Sequence, residues 1–148
     1  MTTPQQQVPH PRRVLALDPG SRRTGVALSD ELGMFAHPRP AIVSASLQQM
    51  VDEVVRLVGA DDIGEVVVGL PLSLSGSDSS QTETVRALVR TLRESLDVAV
   101  STWDERLSSV QAAHTVRGAA KRKSGDLDSQ SAAIVLQAVL DSRRGRDA

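Results

Sequence analysis

The sequence predicts an α/β sandwich built on a mixed, five-stranded sheet, and three observations carry that prediction. Short apolar runs punctuated by Gly and Pro occupy the first third of the chain. Apolar strands then alternate with helical stripes over the remainder, which is the pattern of strands joined by crossover helices. A chain of 148 residues is also long enough to bury a core without disulfides or a structural metal.

The elements follow in order. Val14–Asp18 is an apolar run stopped by Pro19 and Gly20, and reads as a buried strand. Gly25–Ser29 is a second strand after a tight turn. Phe35–Val43 is a third, weakened by Pro38 and Pro40. Short joints between the three imply an antiparallel meander. Ser46 and Gln49 have capping-box spacing, and Leu47, Met50, Val51, Val54 and Val58 share one helical face. Val66–Leu70 is apolar throughout, so it reads as an interior, parallel strand. A Ser- and Gly-rich loop spans Pro71–Ser79. Ser80 and Glu83 have capping-box spacing ahead of the stripe Val85, Leu88, Val89, Leu92 and Leu96. Val98–Thr102 is a fifth strand and Arg106–Arg117 a helix. Gly118–Gly125 reads as a basic loop, and Ala132, Val135, Leu136, Val139 and Leu140 as the stripe of a last helix. The predicted order is βββαβαβαα. Residues 1–12 are expected to be a disordered tail, 13–142 one domain, and 143–148 a basic C-terminal tail.

Composition excludes several functions. Seventeen Lys and Arg against 18 Asp and Glu give a net charge of −1, so nucleic-acid binding would need local basic patches. There is no cysteine, which removes thiol nucleophiles, Cys zinc sites and iron–sulfur clusters. One Phe and one Trp cannot make a base-stacking platform. No apolar run approaches the roughly 18 residues of a membrane span, and no hydrophobic segment at the start suggests a secretory signal. The expected setting is the cytoplasm, with no membrane partner.

Three acids at element ends are the chemical candidates. Asp18 closes the first strand, where open α/β sheets place ligands; taken alone it is also a good turn-initiating residue. Asp104 and Glu105 leave the fifth strand, where they also suit the first turn of a helix. Asp128 precedes Ala132, Leu136 and Leu140 at steps of four, along the apolar face of the last helix, and has an N-cap reading besides. Small Ala132 and Ala133 allow that helix a close approach to the sheet. If the first, fourth and fifth strands are neighbours, Asp18, Glu105 and Asp128 can converge. Carboxylates without Cys, and with His10, His37 and His114 at no metal-ligand spacing, suit Mg²⁺ or Mn²⁺. Such clusters hydrolyse phosphodiesters. Basic residues flank each acid: Arg22 and Arg23, then Arg106, then Arg117, Lys121, Arg122 and Lys123. They are expected to contact a polyanion through its backbone, although each also fits an ordinary solvated loop. The spacing Gly20 to Gly25 superficially suits a phosphate loop, but Val26 stands where such a loop requires Lys.

Five segments in order resemble one known family: Leu17–Ala27, Val67–Pro71, Gly76–Ser77, Asp104–Arg106, and Asp128 with Ala132–Ala133. Together they resemble the YqgF/RuvX family of bacterial proteins, over about Arg13 to Ser142. The resemblance implies an RNase H-like, RuvC-like fold and a Mg²⁺- or Mn²⁺-dependent nuclease. It implies maturation of the 5′ end of 16S ribosomal RNA, with the ribosome as a partner, or resolution of Holliday junctions. Asp18, Glu105 and Asp128 match the family's acidic triad, Asp104 stands beside it, and Arg106 matches a basic residue expected to touch phosphate. Asp126 stands two residues before Asp128, outside the motif. A junction resolvase is expected to be a homodimer, whereas an RNA nuclease can be a monomer. Two other readings remain at this stage. The Asp18–Gly25 segment also resembles the phosphate loop of actin-like ATPases, whose paired domains this length cannot hold. The same domain resembles modules that bind nucleic acid without cutting it.

Overall fold

The computed structural model describes residues 12–20, 22–108, 110–120 and 127–147, and the side chains within them except those of 117–120, 127, 128, 146 and 147. The elements are β1 (Arg13–Pro19), β2 (Arg23–Ser29), β3 (Ala36–Val43), α1 (Leu47–Ala60), β4 (Ile63–Leu70), α2 (Ser80–Ser95), β5 (Ala99–Asp104), a single 3₁₀ turn (Glu105–Leu107), α3 (Val110–Ala120) and α4 (Leu127–Asp147). The predicted order holds.

The sheet runs β3-β2-β1-β4-β5. The first three strands form the expected antiparallel meander. The fourth lies between β1 and β5, parallel to both. Its unbroken apolar run follows from that position, because both faces of a central parallel strand are covered. The tolerance of β3 for Pro38 and Pro40 has the complementary cause: it is an edge strand, where a missing N–H need not disturb a second ladder.

Alternation along the strands sends side chains into two cores. Leu15, Leu17, Val26, Leu28, Val66 and Val68 pack under α1 and α2. Ala16, Ala27, Ala36 and Val67 face α4, which offers Ala132, Ala133 and Leu136. Alanines on both sides bring the α4 backbone close to the sheet, as the sequence suggested.

Buried polar groups fix where α4 sits. The register between β2 and β3 shifts between Thr24 and Val26. The Val26 amide donates instead to the Ser129 hydroxyl at 3.0 Å. Farther along α4, the Gln137 side chain accepts from the Ala36 amide at 3.0 Å and donates to the Met34 carbonyl at 3.0 Å. The helix is thus pinned at its start and at its middle, with its N-terminal end beside the C-terminal end of β1.

Local details depart from the sequence reading. The cap of α2 is Ser79, not Ser80. Thr82 completes the box by accepting from the Ser79 amide at 3.0 Å, and its buried hydroxyl also donates to the Pro71 carbonyl. Glu83 has no such buried anchor. Ser46 caps α1 as expected, but the Gln49 side chain accepts from the Ala45 amide rather than from Ser46. The helix expected from Arg106 splits into a 3₁₀ turn and α3, which runs through Gly118 to Ala120. The last helix continues through residues expected to be a tail. Arg143 makes a paired contact with Glu65 at 2.9 and 2.7 Å, and Arg144 donates to the Met34 carbonyl at 2.7 Å. Cations near a helix C-terminus also suit its dipole.

Candidate active site

Three parallel strands end together, and the acids lie at that edge. Leu17 of β1 pairs with Val68 of β4, so Asp18 and Gly69 occupy the next row. Gly69 pairs in turn with Trp103 of β5. Alternation places Asp18, Gly69 and Trp103 on the α4 face, following Ala16 and Val67. The chain then turns up into the 3₁₀ turn that begins at Glu105.

Glu105 reaches back across the sheet and its carboxyl group hydrogen-bonds that of Asp18. Its pKa is pushed up to about 8, first by burial, then by the hydrogen bond to Asp18 and by repulsion from Asp18 and Asp104. Among the described residues this is the one carboxyl group raised so far, and it lies at the mouth of the parallel strands.

Asp104 has a different partner. Both its oxygens accept from the Arg106 guanidinium, at 2.6 to 3.0 Å, and Oδ1 also accepts from the Arg106 amide at 3.0 Å. Those bonds hold its pKa below the usual carboxylate range. Arg106 also donates to the Leu74 carbonyl at 3.3 Å. It therefore ties the end of β5 to the loop of residues 71–79. Within that loop the hydroxyls of Ser73, Ser75 and Ser77 bond one another at 2.8 to 3.0 Å. Gly76 sits at φ +85°, where a side chain would be strained, and faces the Arg106 guanidinium.

Asp128 is the second residue of α4, immediately before the Ser129 that anchors this helix to Val26. Val26 pairs with Leu17, the residue before Asp18. The backbone thus brings Asp128 to the same edge. Among the described residues no three Asp, Glu or His side chains form a metal cluster; the Asp128 side chain lies outside them. Arg22 is exposed in the turn after β1, on the wall of a groove of about 700 Å³ that also includes Pro19, Ser46 and Gln81. Arg23 begins β2. Lys121, Arg122, Lys123 and Asp126 lie outside the described residues.

Hard carboxylate oxygens, with the Glu105 carboxyl held against that of Asp18, suit a divalent cation. Asp18 and Glu105 fit such an ion, whose charge would offset the burial, and with it the nearby negative charge, that raise the Glu105 pKa. Sequence reasoning passed over Gly69, Ser129 and Gln137. Gly69 stood inside a quoted motif, but its lack of a side chain acquires meaning only once Glu105 is seen to lie over it.

A family model described as "RuvX: Holliday junction resolvase" matches residues 12–142. The chain belongs to the RuvX family. A relative from Halothermothrix orenii, named "Putative pre-16S rRNA nuclease", is 36% identical over 132 residues, covering 87% of this chain and 94% of the relative. One of the same name from Koribacter versatilis is 39% identical over 138 residues, covering 91% and 90%. Among solved structures, Thermus thermophilus RuvC bound to a Holliday junction substrate superposes with a TM-score of 0.63 at 16% identity, covering 90% of this chain and 96% of that one. RuvC without that substrate gives 0.64 at 14% identity. These likenesses establish a RuvC-like fold for this RuvX chain. No helix among its described residues is long and apolar enough to cross a membrane.

Proposed function

We propose that this RuvX protein is a Mg²⁺- or Mn²⁺-dependent endonuclease that matures the 5′ end of pre-16S rRNA in the cytoplasm, on or near the ribosome. The observation that carries this reading is the meeting of Glu105 with Asp18 at the strand edge to which α4 also brings Asp128. The names of the relatives supply the substrate class.

Asp18, Glu105 and Asp128 are the residues that would hold the ion. When bound, it supplies positive charge to the phosphodiester and eases ionisation of water. The chain's own residues position the reactants. Glu105 must give up its proton to act as a ligand, so activity rises as it ionises. Water attacks phosphorus in line and gives up a proton to solvent; as the water oxygen–phosphorus bond forms, a phosphorus–ester oxygen bond breaks and the leaving oxygen takes a proton from solvent, giving a phosphate monoester and a free hydroxyl. Arg106, pre-oriented by Asp104 and Leu74, offers its remaining N–H donors to a phosphate. Arg22, Arg23, Lys121, Arg122 and Lys123 extend the contact along the backbone.

The test is metal-dependent cleavage of a 16S precursor fragment beside a four-way DNA junction, with Asp18→Asn as control. Cutting of the RNA alone, lost in the variant, is the expected result. Symmetric cutting of the junction would favour the resolvase reading named by the family model and imply a dimer. Intact binding with no cutting of either substrate would overturn the nuclease reading in favour of a binding module.

A further inference from the structure

The sheet order poses a geometric problem for the site. Glu105 follows β5, whereas Asp18 ends β1, and β4 lies between them. Adjacent strands are about 4.8 Å apart, so the two acids begin roughly 10 Å apart across the sheet. A glutamate side chain can close that gap only by lying over the middle strand. Any side chain on β4 in that row and on that face would stand in its path.

The residue in that row is Gly69. A Cβ added there would lie 2.7 Å from Glu105 Oε1, 3.3 Å from its Cγ and 3.4 Å from its Cδ. The whole outer half of the Glu105 side chain therefore rests on the bare backbone of β4. Nothing in the backbone itself calls for glycine at this position: its φ is not in the left-handed region, unlike those of Gly33 and Gly76. Glycine also weakens a strand interior relative to Ala. The neighbours on β4, Val66, Val67 and Val68, follow the ordinary preference for β-branched residues.

We infer that Gly69 is a positioning residue, whose missing side chain is the space through which Glu105 crosses β4 to reach Asp18. This rests on the proposed reading only in taking those two carboxylates as metal ligands. The added methyl of Gly69→Ala would meet the end of a flexible side chain rather than backbone, so the fold accommodates it by moving Glu105. The variant thus separates site geometry from stability.

The experiment measures Mn²⁺ binding by electron paramagnetic resonance for wild type, Gly69→Ala, Glu105→Gln, Glu105→Asp and the double variant Gly69→Ala/Glu105→Asp. Thermal midpoints are measured in parallel. The expected result is a Gly69→Ala protein as stable as wild type whose Mn²⁺ affinity falls by about 10–100-fold, toward that of Glu105→Gln. Because Asp is one methylene shorter, the alanine should cost only about twofold or less in the Glu105→Asp background. Wild-type affinity in Gly69→Ala, equal affinity of wild type and Glu105→Gln, or an equal cost of the alanine in both backgrounds would each overturn the inference. Wild-type cleavage is read separately. A wild type that binds Mn²⁺ and cuts neither substrate sinks the nuclease reading, while the binding comparison still decides the role of Gly69.

Discussion

The Ser129 hydroxyl accepts from the Val26 amide at 3.0 Å, joining two residues 103 positions apart in the chain. Both are buried, and the amide lies where the β2–β3 register shifts. The bond therefore satisfies a donor that the register shift takes out of step, and it fixes the start of α4. Ser129→Ala should cost about 1–3 kcal/mol, because the amide is left buried and unpaired. Urea denaturation measures this directly. Asp128 is the preceding residue, so cleavage should fall by more than the loss of folded protein explains. Unchanged turnover per folded molecule would show that the bond serves stability alone.

Removing the acids should separate folding from chemistry. Asp18→Asn, Glu105→Gln and Asp128→Asn should each fold and each lose about a thousandfold or more in cleavage, equivalent to roughly 4 kcal/mol of transition-state stabilisation. In the absence of metal, Asp18→Asn should melt close to wild type, since the asparagine amide oxygen can still accept from the protonated, half-buried Glu105 carboxyl. Circular dichroism melts and single-turnover cleavage of a labelled RNA check the two halves. Activity retained in all three variants would sink the assignment.

Element order, the antiparallel meander and the interior fourth strand were legible because apolar periodicity reports burial, and burial is what this sheet distributes. Val66–Leu70 announced an interior strand by being apolar on both faces. Asp18 and Glu105 stood out as candidates because each lies at the end of an apolar strand. What stayed hidden is relational. Ser79 displaces Ser80 as the cap because buried Thr82 finds a partner in the Pro71 carbonyl, 11 positions away. The C-terminal arginines read as a tail because Glu65, the partner of Arg143, is 78 positions distant. The sequence put Glu105 in the triad and Asp104 beside it, but gave Asp104 no partner. Only the fold gives one to Arg106 and the other to Asp18.

The pH dependence of stability should report on Glu105. Its ordinary pKa is 4.5 and its pKa in the folded protein is about 8. A carboxyl group raised in the folded state binds more protons folded than unfolded between those values. Its stabilising contribution is therefore complete below pH 4.5 and is lost as pH rises through 8. Metal-free wild type should lose stability over that window relative to Glu105→Gln, by an amount on the order of 1 kcal/mol after allowance for solvent screening. Saturating Mg²⁺ should reverse the trend, because ionised Glu105 is then the bound form and binding releases its proton. Paired melts at pH 5 and pH 8, with and without Mg²⁺, make the comparison. Parallel profiles for both proteins without metal would contradict the raised pKa.

Arg106 should act on binding in a way its charge alone does not explain. Its contacts with Asp104 and the Leu74 carbonyl spread over both the β5 terminus and the neighbouring loop. If Arg106 makes the proposed phosphate contact, Arg106→Ala should decrease the slope of log affinity against log salt by roughly 0.7–0.9. It also releases the loop and leaves Asp104 without its cation, which should raise the Asp104 pKa toward its ordinary value. Arg106→Lys keeps the charge but cannot span both Asp104 oxygens and the loop carbonyl with one planar fork. The lysine variant should thus recover the salt slope while leaving cleavage well below wild type. Binding isotherms at several salt concentrations, beside single-turnover rates, distinguish the two roles. Full recovery of both by lysine would reduce Arg106 to a point charge and remove the positioning role of Asp104.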